Sequence, residues 1–241
     1  MKKILCKSYE EMSRAATDVI AAQVRGKPDS VIGFATGSTP VGTYKCLAEM
    51  FAKGSVDFSK VTSFNLDEYY PIKRDNPQSY CYFMRENLFD HINIPDGNIN
   101  IPNGECADSA AECCAYDAKL EGMGGTDLQI LGIGNNGHIA FVEPNEVLPL
   151  KTGTFALAPD TIEANSRFFE KAEDVPKQAI SMGLGGIFNS RHILLLISGK
   201  AKAAVVQKLF SGTVTTQIPA TLLNLHPNVT VIMDSAASGE G

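Results

Sequence analysis

No stretch of this chain approaches the length of a membrane-spanning helix, and nowhere do Lys and Arg gather into a basic block. The first absence argues against a helical membrane protein. The second, with a formal net charge of −6, makes nucleic acid and anionic membrane surfaces poor partners. An anionic metabolite stays within reach, because a few local cations and helix ends suffice to hold one. C-x-x-C pairs are missing too. The cysteines (Cys6, Cys46, Cys81, Cys106, Cys113 and Cys114) are scattered, and the adjacency of Cys113 and Cys114 suits neither zinc nor a disulfide framework. Free thiols in a reducing cytoplasm, and no structural metal, are the expectation. Near the start, Lys7 and Glu10 intervene before an apolar segment can form, so no secretory signal is expected. Repeats and low-complexity tracts are also absent. What is present is 241 residues, 44% hydrophobic and 20% charged, read as one globular domain over residues 1–241.

Apolar runs alternate with helical periodicity along the whole chain. Lys3–Lys7, Val31–Ala35, Val61–Leu66, the run from Leu128, His192–Ser198 and Val229–Met233 have strand character. Between them lie helical patterns. One follows Ser8, where Glu11 completes a capping box, and stops at Gly26 and Pro28. Another follows Pro40, with Tyr44, Leu47 and Phe51 on one face. Others cover Pro77–Asp90, whose aromatic stripe of Tyr80, Phe83 and Phe89 reads as core, and Glu105–Leu120. A further helix runs from Gly199–Lys202 to about Gly212, and Ala220–Leu225 forms a short one. Val175–Phe188 reads as a strand, a turn and a helix, His91–Gly104 as a loop, and Asp234–Gly241 as a polar tail. This alternation predicts an α/β fold, a mainly parallel sheet with helices on both faces.

The most informative stretch is Leu128–Pro144. A short apolar run breaks at Gly132, Gly134 and Gly137 and delivers Asn136, His138 and Glu143 beyond the strand's carboxyl end, where ligands sit in open α/β sheets. Those side-chain types suit proton transfer at a sugar-like oxygen, although a glycine turn with a satisfied buried histidine fits the same residues. The spacing also matches G-x-G-x-x-G, but its position in mid-chain argues against a nicotinamide cofactor. A second stretch, Thr36–Pro40, joins a strand to a helix. Gly37 frees the backbone, Ser38 and Thr39 offer hydroxyls, and the helix start offers N–H groups; together they form a phosphate cradle unlike a Walker A loop. A plain Thr cap before Pro is the simpler reading of that loop. Asp67 and Glu68 follow a strand, placed as a base in the cleft, as solvated loop charges or as a helix N-cap. Arg167 has a fork suited to phosphate, and Lys202 falls in a helix's first turn, where a cation is disfavoured unless an anion docks beside it. Each could equally be a solvated surface charge. Residues 142–154, irregular and proline-containing, read as a mobile active-site flap.

Taken in order, ATGSTP, FNLDEYY, LGIGNNGHIAF-x-EP, NSRFF and SGKAKA resemble the glucosamine-6-phosphate deaminase family, in its short bacterial branch, over nearly the whole chain. The resemblance implies a seven-stranded Rossmann-like sheet and conversion of glucosamine 6-phosphate and water to fructose 6-phosphate and ammonia, with a sugar phosphate as small-molecule partner. It implies Asp67 as the base acting between C2 and C1, and His138 as the proton shuttle in ring opening, assisted by Asn136 and Glu143. Gly37, Ser38, Thr39, Arg167 and Lys202 would hold the phosphate, with no cofactor and no metal. Longer family members have Asp where Asn136 stands; an amide cannot titrate, so the relay falls to Glu143. Val142 and Asn145 depart from the family pattern F-N-E-P-G. Leu148–Ala156 lacks a Ser-Arg-Thr run, and with Glu146, Gly153 and Phe155 at the relevant places no allosteric site for N-acetylglucosamine 6-phosphate is expected. Homo-oligomerisation and the preferred C4 epimer are left open. So are the alternatives of a galactosamine-6-phosphate deaminase, a 6-phosphogluconolactonase and a non-catalytic sugar-phosphate sensor.

Overall fold

A computed structural model of the chain describes residues 1–157, 162 and 175–239. In chain order its strands are β1 (Lys2–Cys6), β2 (Val31–Phe34), β3 (Thr62–Asn65), β4 (Asp67–Tyr70) and β5 (Ile99–Asn100). They continue with β6 (Leu128–Leu131), β7 (Gly153–Ala156), β8 (Gln178–Ser181), β9 (Ile193–Ile197) and β10 (Val229–Asp234). The α-helices among the described residues are α1 (Tyr9–Gly26), α2 (Val41–Ala52), α3 (Tyr80–Asn87), α4 (Ser109–Gly122), α5 (Leu184–Phe188), α6 (Ala203–Leu209) and α7 (Ser235–Ser238).

Seven strands form one sheet in the order β1-β10-β9-β6-β2-β3-β5, every neighbouring pair parallel. Strands β2, β6, β9 and β10 are buried along their whole length, which is why they read as unbroken rather than alternating apolar runs. Phe34 meets Tyr44 and Phe89 edge-on, and Phe64 meets Tyr116 in the same way. Such contacts fix α2 and α4 against the sheet. The chain leaves β2 for β3 towards one side and reaches β9 from β6 on the other. A crevice therefore opens at the carboxyl ends of β2 and β6, where the strand order reverses.

A second sheet was not foreseen. β4 pairs antiparallel with β8, and β8 with β7. Asp67–Tyr70 is therefore a strand rather than a loop or helix start. Its four residues, two of them acidic, show no apolar alternation, and only Leu66 separates it from β3. Several limits also move. The helix expected over Pro77–Asp90 is shortened to α3 and a 3₁₀ turn at Phe89–His91, because Ser79 caps it through Tyr82 N–H. Within His91–Gly104 lies β5, an edge strand too short to have a side-chain period. Asp234 belongs to no tail; it ends β10 and caps α7 through Ala237 N–H. At α1, Ser8 accepts Glu11 N–H as the capping box requires, but the Glu11 carboxylate takes Lys7 N–H. The stretch read as a flap is tied down at its far end. Thr152 gives its N–H and hydroxyl to Asp117, and Leu184 and Gly185 donate to the carbonyls of Pro149 and Leu150.

Candidate active site

Because the main sheet is parallel, the loops after β2, β3, β6 and β9 emerge at one edge, and the residues singled out in the sequence emerge with them. After β2, Gly37 adopts φ +92°, a left-handed conformation in which a side chain is strained. Ser38 and Thr39 follow, then α2, whose first turn contains no acid and whose N-cap, Pro40, makes no side-chain cap bond. A cavity of about 400 Å³ opens here, lined by Tyr9, Ser38, Thr39, Val41 and Ser198. The Tyr9 hydroxyl donates to the Ser38 carbonyl at 3.1 Å and accepts Gly42 N–H at 2.8 Å, bridging the loop to the helix start. After β9, Ser198 and Gly199 are held by Asp234, which accepts the Ser198 hydroxyl and Gly199 N–H. The following 3₁₀ turn, Lys200–Lys202, ends on Lys202. Burial alone pulls the Lys202 ammonium below its ordinary range, and no carboxylate pairs with it among the described residues. Arg167 lies outside the described residues.

Asp67 is 6% exposed, and no described residue donates a hydrogen bond to its carboxylate. Burial, with a smaller contribution from the Glu68 charge, pushes it up to about 8. Glu68 is pushed up to about 7 by burial, although it accepts the N–H groups of Tyr80, Cys81 and Tyr69. Two of those donors open α3, so Glu68 holds the helix start, a task Asp67 does not share among the described residues. Beside them Tyr69, Tyr80 and Phe141 form an aromatic group, Tyr80 and Phe141 lying parallel with centroids 6.3 Å apart. Burial drives the Tyr80 hydroxyl well above its usual range, with the charge of Asp67 among the contributors, so the two groups lie within electrostatic reach. Tyr80 packs against the small second core of Tyr69, Ile72, Phe141, Leu157 and Ala179, in keeping with the core role read for it in the sequence.

The loop after β6 gathers Asn136, His138 and Glu143. Asn136 Nδ2 donates to Glu143 Oε2 at 2.7 Å, and its Oδ1 accepts His138 N–H at 3.1 Å. His138 Nδ1 lies 3.2 Å from Glu143 Oε1, within ion-pair distance yet misaligned for a hydrogen bond. Both side chains are partly open, 24% for His138 and 19% for Glu143. The imidazole lies flat on Gly134, where an added Cβ would collide with its ring atoms. Gly137, at φ +89°, meets Ile218 in the same way. These glycines therefore serve close approach and turning. The alternative of a histidine merely satisfied in the core does not fit a ring that is open and faces a carboxylate. Tyr9 and Ser198 were missed in the sequence, since a Tyr at the head of a helix and a Ser at the end of a strand carry no local signal.

The family of glucosamine-6-phosphate isomerases and 6-phosphogluconolactonases has a sequence model that matches residues 7–232, and the chain belongs to that family. Among its relatives, the glucosamine-6-phosphate deaminase of Thermoanaerobacter pseudethanolicus is 52% identical over 99% of this chain and 94% of its own length. That of a Geobacillus species is 53% identical over 98% and 94%. A solved structure of a monomeric glucosamine-6-phosphate deaminase superposes with a TM-score of 0.97 at 42% identity, covering all of both chains. The 6-phosphogluconolactonase of Trypanosoma cruzi superposes with a TM-score of 0.78 over 99% and 96% of the two chains, at 21% identity, a likeness of fold.

Proposed function

We propose that the chain converts glucosamine 6-phosphate and water to fructose 6-phosphate and ammonia. The observation that carries this reading is a buried carboxylate, Asp67, without a hydrogen-bond donor among the described residues, on the same sheet edge as the Asn136–Glu143–His138 chain. A carbon acid beside a carbonyl needs a base held dry and close. His138, backed by Glu143, moves the ring proton as the pyranose opens and exposes the C1 aldehyde. Asp67 then takes the C2 proton, giving an enolamine, and returns it to C1. The resulting C2 imine adds water and expels ammonia, leaving the ketone. Asn136 orients Glu143 and relays no proton, since an amide does not titrate. Gly37, Ser38 and Thr39 bind the phosphate with the start of α2, and Lys202 and Arg167 supply positive charge. Every residue in this scheme comes from one chain, which a monomer accommodates.

Ammonia release from glucosamine 6-phosphate, measured beside galactosamine 6-phosphate, tests the reading. Rapid release from the gluco epimer is expected. Release from the galacto epimer alone would keep the mechanism and move the substrate, and no release from either would overturn the assignment.

A further inference from the structure

Asp67 and His138 reach the site from separate sheets, and Ser181 stands where the two meet. It closes β8 and is fully buried. In the antiparallel register it lies directly across from Asp67. Its Oγ accepts the backbone N–H of Phe141 at 3.0 Å, and its hydroxyl proton faces the Met182 carbonyl at 3.4 Å. Met182 N–H in turn donates to the Leu66 carbonyl, immediately before Asp67, at 2.8 Å.

Phe141 sits in the return limb of the histidine loop, between His138 and Glu143. Ala140, just before it, has φ +51°, the only positive value at a non-glycine among the described residues. A residue with a Cβ costs roughly 1 kcal/mol in that region, and such a conformation persists only where its surroundings enforce it. A bridge between Ile139 and Val142 closes the turn locally; from outside, Ala220 N–H holds the Gly137 carbonyl before the histidine and the Ser181 hydroxyl holds the return limb at Phe141.

We propose that Ser181 is a positioning residue: its hydroxyl holds the His138–Glu143 loop in register with the strand that presents Asp67. The proposal rests on the deaminase reading for its catalytic consequence. Its structural half stands independently of turnover. Threonine keeps the hydroxyl, alanine removes it, and cysteine fills the space with a poor acceptor.

In the full-length protein, Ser181→Ala is expected to lower kcat on the order of 10- to 100-fold, the cost of a displaced catalytic group, with KM within about threefold because the phosphate cradle lies on other loops. Ser181→Thr restores most of kcat, and Ser181→Cys behaves as the alanine variant does, which keeps the test open should the alanine variant fail to fold. In the substrate-free protein the His138 ring resonance, identified by its loss in His138→Gln, moves in Ser181→Ala or Ser181→Cys and stays in place in Ser181→Thr. A folded alanine or cysteine variant with kcat within twofold of wild type and an unmoved His138 resonance overturns the proposal, as does a rise in KM alone. If the wild-type protein releases no ammonia, the deaminase reading fails, while the resonance comparison still decides the role of Ser181.

Discussion

At the scale of single residues, Asp67 is held in a setting that costs stability. An aspartate in an unfolded chain loses its proton near pH 3.9, whereas Asp67 in the fold holds its proton to about 8. Between those values the unfolded state has released a proton that the folded state retains, so stability falls as pH rises through this window and the loss is complete above it. Asp67→Asn is therefore expected to raise unfolding free energy by about 2 kcal/mol at pH 8.5 and to be nearly neutral at pH 3.5. Turnover should fall by at least about 10²- to 10⁴-fold. Denaturant melts at the two pH values and an ammonia assay check both; equal stabilisation at both pH values would mean that the carboxylate is not desolvated. The residue types at Asp67, Asn136, His138 and Glu143 were legible in the sequence. The distances that make Glu143 a bridge between an amide and an imidazole were not, because they depend on the turn at Gly137 and on the bare Cα of Gly134 beneath the ring.

At the scale of elements, the buried strands were legible because continuous apolar runs are their own signal, as Ile193–Ile197 illustrates. β4, β5 and β7 were not. Their stability comes from partners distant in sequence, and DEYY, IN and GTFA have little preference of their own. The junction at the opposite, amino edge of the sheet is similar. Asp127, just before β6, is 5% exposed and accepts Lys27 Nζ, Val31 N–H and Arg191 Nη1 at 2.6, 2.8 and 2.8 Å. One carboxylate thus joins the end of α1, the start of β2 and the approach to β9. Asp127→Ala is expected to cost roughly 2 kcal/mol, discounted because both cationic partners are largely exposed, with kcat unchanged because the site lies at the other edge. Thermal melts and steady-state kinetics read the two; a loss of kcat without loss of stability would refute this division of labour.

At the scale of the whole molecule, both layers of the fold serve one edge of one sheet. A parallel order places the ends of β2, β3, β6 and β9 side by side, so residues up to about 165 positions apart, from Gly37 to Lys202, return to a common rim. The second sheet joins that rim at Leu66 in the chain and again through the hydrogen bonds of Phe141 N–H to Ser181 and of Met182 N–H to Leu66. The rung of Asp67, Ser181 and Gly153 sits at this junction, and the rung of Tyr70, Gln178 and Ala156 at the other end, where Gln178 and Ala156 are exposed. Amide exchange should therefore be graded, slowest at the Asp67 rung and fastest at the Tyr70 rung, and uniform protection along β8 would deny that gradient. With the base on the junction rung, its strand is braced by both sheets at once. The alignment of the chemistry is thereby written into the weld between the two sheets, and fraying at the exposed rung leaves it intact.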